Sequence, residues 1–226
     1  MVSGADLRAG RRRRGWTQTK AAARFGVSQA YLSLLETGRR PVSSRLLARM
    51  RREFALGPTV LPFLDGLHGD PARLAAALSG LGYPGFAHVR PRRRLNPAQV
   101  LLLALQQDAL EARTAAALPW IAAEFSGLDW DSLIACAKLG DCQNRLGFVV
   151  SLGRQVALRR HDEDAAATLG RVEQRLEFSR LAREDSLGQA DMTDAERRWK
   201  RGRRSDDAQR WNLVSDLRLE HLPYAT

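Results

Sequence analysis

Residues 15–40 read GWTQTKAAARFGVSQAYLSLLETGRR, and their turn chemistry predicts two short helices joined by a tight turn. Thr17 stands where its hydroxyl can accept from the unpaired amides of a first helical turn, which makes it the N-cap of a helix running through Phe25. Gly26 follows the last apolar residue, the place where a helix commonly closes in a left-handed conformation that glycine adopts without steric cost. Ser28 is a second N-cap, opening a helix to Thr37 that Gly38 stops, so a turn of about three residues separates the pair. Ala22, Phe25, Val27, Leu32 and Leu35 supply the apolar face between them. Ala22 is small where the helices approach closest, and Leu32 and Leu35, three apart, share one side of the second helix.

The run resembles a helix-turn-helix of the XRE class, the DNA-binding module of Cro and phage-repressor proteins. The TQ pair, the GVSQ turn and the E-x-G terminator all stand at family spacing, and the likeness extends over residues 6 to about 57. It implies double-stranded DNA as partner, with the second helix entering a major groove and Ser28, Gln29, Ala30 and Tyr31 pointing at the bases. Gln29 is the first choice as base reader, because its amide can pair in two places with an adenine edge. The family often carries a polar residue at the position of Leu34, where an exposed leucine would touch a thymine methyl or nothing. By the same resemblance Gln18 binds a phosphate and supports Gln29, and Arg11 and Glu36 form a partly buried structural salt bridge. Arg12, Arg13, Arg14, Arg39 and Arg40 surround the module and are expected to contact phosphates.

Charge divides the chain at a nearby place. Residues 1–95 contain 18 Lys and Arg against 5 Asp and Glu, whereas residues 96–226 contain 18 against 20, so the whole excess of +11 sits in the front of the protein. Such asymmetry is the electrostatic footprint of nucleic-acid binding, a term that falls steeply with salt. A membrane-surface role would need large apolar residues opposite the charges, and the segment around Arg11 to Arg14 belongs instead to the first helix of a folded module. The longest apolar run, Val100 to Leu105, is far too short to span a bilayer, and the first residues, MVSGAD, lack the apolar stretch of a signal peptide; a cytoplasmic location is expected.

Three regions follow from this pass: a helix-turn-helix domain over 1–57, a Pro/Gly-rich and basic connector with one short helix over 58–95, and a C-terminal helical domain over 96–226. In the first, Ser43 or Ser44 caps a further helix through about Phe54 that closes the bundle with Leu46, Leu47, Met50 and Phe54. In the connector, Asp70-Pro71 opens a short helix, residues 81–89 read as a turn and an extended piece, and VRPRRRLNP at 89–97 is a basic linker. In the third, Asn96-Pro97 opens one long helix through about Leu118. Further helices are predicted at 129–140, 142–160, 163–184, 194–201 behind the capping box Thr193-x-x-Glu196, and 206–219. Strand-like alternation is missing, so the fold class is all-α, a helix-turn-helix bundle of the phage-repressor type plus a C-terminal all-helical domain.

Chemistry-bearing motifs are sparse. His68, His88, His161 and His221 are scattered without metal-ligand spacing, Cys136 and Cys142 read as small buried residues, and the phosphate-loop, nucleophile-elbow and dinucleotide patterns are missing; no catalytic role, metal or cofactor is expected. ERRWKRGRR at 196–204 is a basic patch with an aromatic inside it, read as a solvated turn because acidic residues at 184, 185, 191, 194, 206 and 207 dilute its field. Four tryptophans, Trp120, Trp130, Trp199 and Trp211, lie in the C-terminal domain, most often a sign of core. The expected function is sequence-specific transcriptional regulation, with repression through a homodimer on a palindromic operator. The alternative is an antitoxin whose residues 96–226 neutralise a toxin enzyme while the N-terminal module autoregulates the promoter.

Overall fold

The computed structural model describes residues 4–54, 57–61, 63–64, 66–91 and 94–224. Arg92 and Arg93 of the basic linker lie outside the described residues. The chain forms two compact units, residues 1–64 and 65–226. Among the described residues twelve α-helices carry nearly all the regular structure, so the protein is all-α.

Four helices build the first unit: α1 (Gly4–Arg13), α2 (Gln18–Phe25), α3 (Gln29–Glu36) and α4 (Ser44–Phe54). Each boundary between α2 and α3 has the cause read from the sequence. The Thr17 hydroxyl accepts from Lys20 N at 3.1 Å, Gly26 turns the chain at φ 67°, and the Ser28 hydroxyl accepts from Tyr31 N at 3.1 Å. Leu7, Ala22, Phe25, Leu32, Leu35, Met50 and Phe54 are buried together as one core. Phe25 and Phe54 meet edge to face with ring centroids 5.1 Å apart, and Trp16 packs on both. Ser43, through its hydroxyl, receives Leu46 N at 3.4 Å at the start of α4. Arg49 then donates to the carbonyls of Arg24 and Phe25, tying α4 to the C-terminal end of α2.

The second unit begins earlier than the sequence division suggests. Asp70 caps α5 (Pro71–Leu81), which packs on α6 (Pro97–Leu105) and α7 (Ala112–Glu124), so the stretch 71–95 belongs to this unit's fold. Residues 84–86 form a 3-10 turn in place of an extended piece, because Tyr83 and Phe86 are drawn into the core, Tyr83 against Trp120 and Tyr224.

Three predicted helices are shorter than their periodicity implied, each cut by a tertiary contact. The long helix from Asn96 divides into α6 and α7: between them Leu110 N donates to Gly188 O at 2.8 Å and Ala190 N to Asp108 O at 2.9 Å, an antiparallel contact that replaces helical hydrogen bonds. α7 continues through Pro119, beyond the expected end at Leu118, and Gly153 of α9 (Gln143–Arg159) leaves room for that turn, since a Cβ there would lie 2.9 Å from Ala122 Cβ. The helix at 163–184 is α10 (Glu163–Glu177); Asn144 pairs with both backbone groups of Leu181 at 2.8 and 2.9 Å and holds the following residues out of the helix. The helix at 206–219 is only α12 (Asp206–Arg210), after which Leu213–Val214 pairs in parallel with Asp185–Ser186, a two-residue ladder that no alternation announced.

α8 (Trp130–Leu139) and α11 (Asp194–Arg201, with both halves of the Thr193–Glu196 capping box) follow expectation. α9 is the central rod, buried along most of its length and packed by α7 and α10. Leu169, Val172 and Leu176 of α10 are core residues. Trp211 is fully buried and lies against Gly147, where any Cβ would collide with the indole; its Nε1 donates to Ser151 Oγ at 2.8 Å, which in turn donates to Glu173 at 2.8 Å. Trp120 and Trp130 are also buried, whereas Trp199 is 54% exposed.

Candidate nucleic-acid interface

The solvent side of α3 is organised by a chain of polar contacts that begins in the core. Arg11 on α1 donates from Nε and Nη2 to the two carboxylate oxygens of Glu36 at 2.6 and 2.9 Å, and from Nη1 to Trp16 O at 2.7 Å. Both side chains are nearly inaccessible, 10% and 1% exposed, so the pair is a buried two-pronged bridge. Gln18, first residue of α2, donates from Nε2 to Glu36 Oε2 at 3.0 Å, and Gln29, first residue of α3, donates from Nε2 to Gln18 Oε1 at 2.7 Å.

The direction of this chain is dictated by its inner end. An ionised carboxylate only accepts, so Gln18 must turn its NH2 towards Glu36; its oxygen then faces Gln29, which must answer with an N–H. Each amide keeps one N–H unused, and Gln29 keeps its oxygen. That is the donor and acceptor set needed for an adenine edge at Gln29 and for a phosphate at Gln18.

Electrostatics fix the charge at the root. Burial pushes the Glu36 carboxyl up, but hydrogen bonds from Arg11 and Gln18 and the charge of Arg11 outweigh it and hold the group below the ordinary carboxylate range. The Glu36 hydrogen bond raises Arg11, against the opposing effect of burial.

The other predicted base readers divide. Ala30 is exposed; the Ser28 hydroxyl is engaged as a cap acceptor but retains its proton to donate; Tyr31 is half-buried and packs on the core; Leu34 is half-buried one turn along α3. Arg12, Arg13 and Arg14 at the end of α1, and Arg39 and Arg40 beyond α3, are exposed. None of the five makes an ion pair among the described residues, which leaves a set of cations for an external anion. The link from Gln18 to Glu36 was not anticipated. Its signal lay in valence: a carboxylate offers more acceptor sites than one guanidinium fork fills, and an amide at the head of α2 stands near enough to use one.

These elements make the first unit a helix-turn-helix, with a capped second helix whose outer face carries Gln29 at its head and is accompanied by arginines without ion pairs among the described residues. Residues 4–77 match the family model described as Helix-turn-helix domain, so the N-terminal module is one, and DNA is the ligand that such a domain implies. The match runs past the first unit into α5. No curated protein and no solved structure matches the chain. Among the described residues, no helix is long and apolar enough to cross a membrane.

Proposed function

We propose that the protein is a sequence-specific transcriptional regulator, a repressor that binds a palindromic operator as a homodimer through α3. The observation that carries this reading is Gln29: an exposed amide at the head of the second helix, pre-oriented by Gln18 from a buried ion pair. A polar side chain held in one orientation before it meets DNA loses little freedom on binding, and specificity comes from such groups more than from charge. Ala30 beside it leaves room for close approach to the groove floor, and Arg12, Arg13, Arg14, Arg39 and Arg40 supply the sequence-independent attraction to phosphates.

Dimerisation follows from the size of the module. One short recognition helix reads too few base pairs to select a site in a genome, and two copies on half-sites about 34 Å apart overcome this. The second unit is assigned the partner contact, supported by two large apolar side chains left in solvent, Leu139 at 88% and Phe178 at 94% exposure. We assign no catalytic step and a cytoplasmic location. The antitoxin alternative shares the operator contact and differs in what covers those apolar residues.

Footprinting across the promoter upstream of its own gene tests the reading. Two protected half-sites one helical turn apart, with two copies bound per duplex, are expected; a single unsymmetrical footprint occupied by one copy contradicts it. A short adjacent gene that is lethal alone and tolerated beside this one would transfer the second unit to the antitoxin reading.

A further inference from the structure

The run ERRWKRGRR, diluted by acidic neighbours when read along the chain, keeps a surplus of cations in space. Asp185 is neutralised by Arg145 through two hydrogen bonds at 2.7 and 2.8 Å, while Asp207, which accepts from Gln155 at 2.7 Å, and Glu196, in the capping box with Thr193, keep their charge but meet no arginine of the patch in an ion pair among the described residues. Among the described residues two carboxylates meet the patch in ion pairs: Asp216 holds Lys200 at 3.2 Å, and Glu184 is shared by Arg197, Arg201 and Arg204 at 3.5, 2.6 and 3.7 Å. One carboxylate cannot neutralise three guanidinium groups. Hydrogen bonding from Arg201, against partial burial, together with the charges of Arg201 and Arg204, holds Glu184 below the ordinary carboxylate range, so it stays ionised and the surplus stays positive.

Two further arginines are exposed and have no carboxylate partner among the described residues, Arg198 on α11 and Arg203 just beyond it. Between them stands Trp199, with the Arg203 guanidinium 4.1 Å from its ring centroid. α11 buries none of its residues, so the indole is not there to fill a core. A flat ring bearing a guanidinium, bordered by cations, offers a face for stacking and donors for phosphate oxygens.

We propose that the exposed face of α11 and the turn after it, centred on Arg198, Trp199 and Arg203, is a second nucleic-acid contact, binding the phosphodiester backbone independently of α3. Its ligand is the phosphate-sugar backbone, presented by a duplex or by a single strand. It draws on the DNA-binding reading for the kind of polymer but not for any residue of the first unit.

The full-length protein is titrated with random-sequence duplex and with a thymidine oligonucleotide over a range of salt. Arg198→Ala/Arg203→Ala is expected to lower the salt slope by about 1.8 on duplex or about 1.4 on the single strand, the loss of two phosphate contacts. Trp199→Ala separates the sources: a roughly tenfold weakening confined to the single strand assigns a stacked base, and no such difference assigns duplex backbone. If the double variant melts early, Arg198→Glu, at a side chain without a carboxylate partner, repeats the test. Unchanged slopes on both polymers overturn the proposal, as does tighter binding of a poly-glutamate peptide than of either oligonucleotide, lost in the same variant. Operator preference is read separately through Gln29→Ala, so failure of the patch and failure of the α3 reading give different results.

Discussion

Gln29 Nε2 donates to Gln18 Oε1 at 2.7 Å, and through Gln18 the exposed head of α3 is connected to the buried Arg11–Glu36 pair. Gln29, the residue proposed to read the bases, is thus oriented by a carboxylate that is 1% exposed. Mutations in the core of the module should therefore alter recognition as well as stability.

Glu36→Gln is the sharpest case. The new amide can donate as well as accept, so it no longer forces Gln18 to present its NH2 inward, and the orientation of Gln29 becomes degenerate. Base preference at the Gln29 position should relax while the side chain that reads it is intact. Binding selections with the variant would measure this; an unchanged preference with only lower stability would separate Glu36 from recognition.

Removing the other partner tests stability. Arg11→Ala leaves Glu36 ionised and buried without its cation, a change that costs about 3–5 kcal/mol. Urea unfolding monitored through Trp16, which packs on Phe25 and Phe54, should report it. A loss below about 1 kcal/mol would mean that the pair contributes no more than a surface bridge.

Acid should act through the same pair. Glu36 in the folded state titrates below its unfolded value of about 4.3, so the unfolded chain binds the extra proton; the contribution of Glu36 is fully present above that value and is lost as pH falls through the folded one. Melting of the wild type should drop more steeply below about pH 4 than melting of Glu36→Gln. Parallel curves for the two would contradict the assignment.

Gly147→Ala tests the second unit. Its Cβ would clash with the edge of the Trp211 indole, which is anchored by Ser151, so the ring must leave its site or α9 must shift. A loss of about 1–3 kcal/mol, the usual cost of overpacking, is expected with a changed tryptophan emission. The contact of α3 with a single half-site should persist, because no residue of that module is touched.

The site was legible where local chemistry decided it. Thr17, Gly26, Ser28 and Gly38 are punctuation that acts within one turn, and Arg11 and Glu36 stand at the spacing their resemblance implied. What could not be read was the reach of side chains between distant segments. Asn144 stopping α10 through Leu181, and Gly188 dividing α6 from α7 through Leu110, are tertiary contacts that leave no local signal. The same limit explains the basic patch: Asp185 counts against it along the chain, yet its carboxylate is neutralised by Arg145, forty residues away.

Phosphate contact and base reading should separate cleanly. Arg12→Ala, at an exposed cation without an ion pair among the described residues, should weaken binding to all sequences alike and reduce the salt slope by about one. Gln29→Ala should leave the slope and lower discrimination by about 1–3 kcal/mol at one base. Equal effects of both variants on specific and random DNA would refute the role given to Gln29.

The most direct measurement is titration of the purified full-length protein, and of Gln29→Ala, onto the promoter fragment upstream of its own gene and onto scrambled DNA of equal length at physiological salt. Tighter binding of the wild type to the promoter, with the preference lost in Gln29→Ala, is the predicted result. Equal, salt-sensitive binding of both proteins to both fragments would contradict sequence reading by α3.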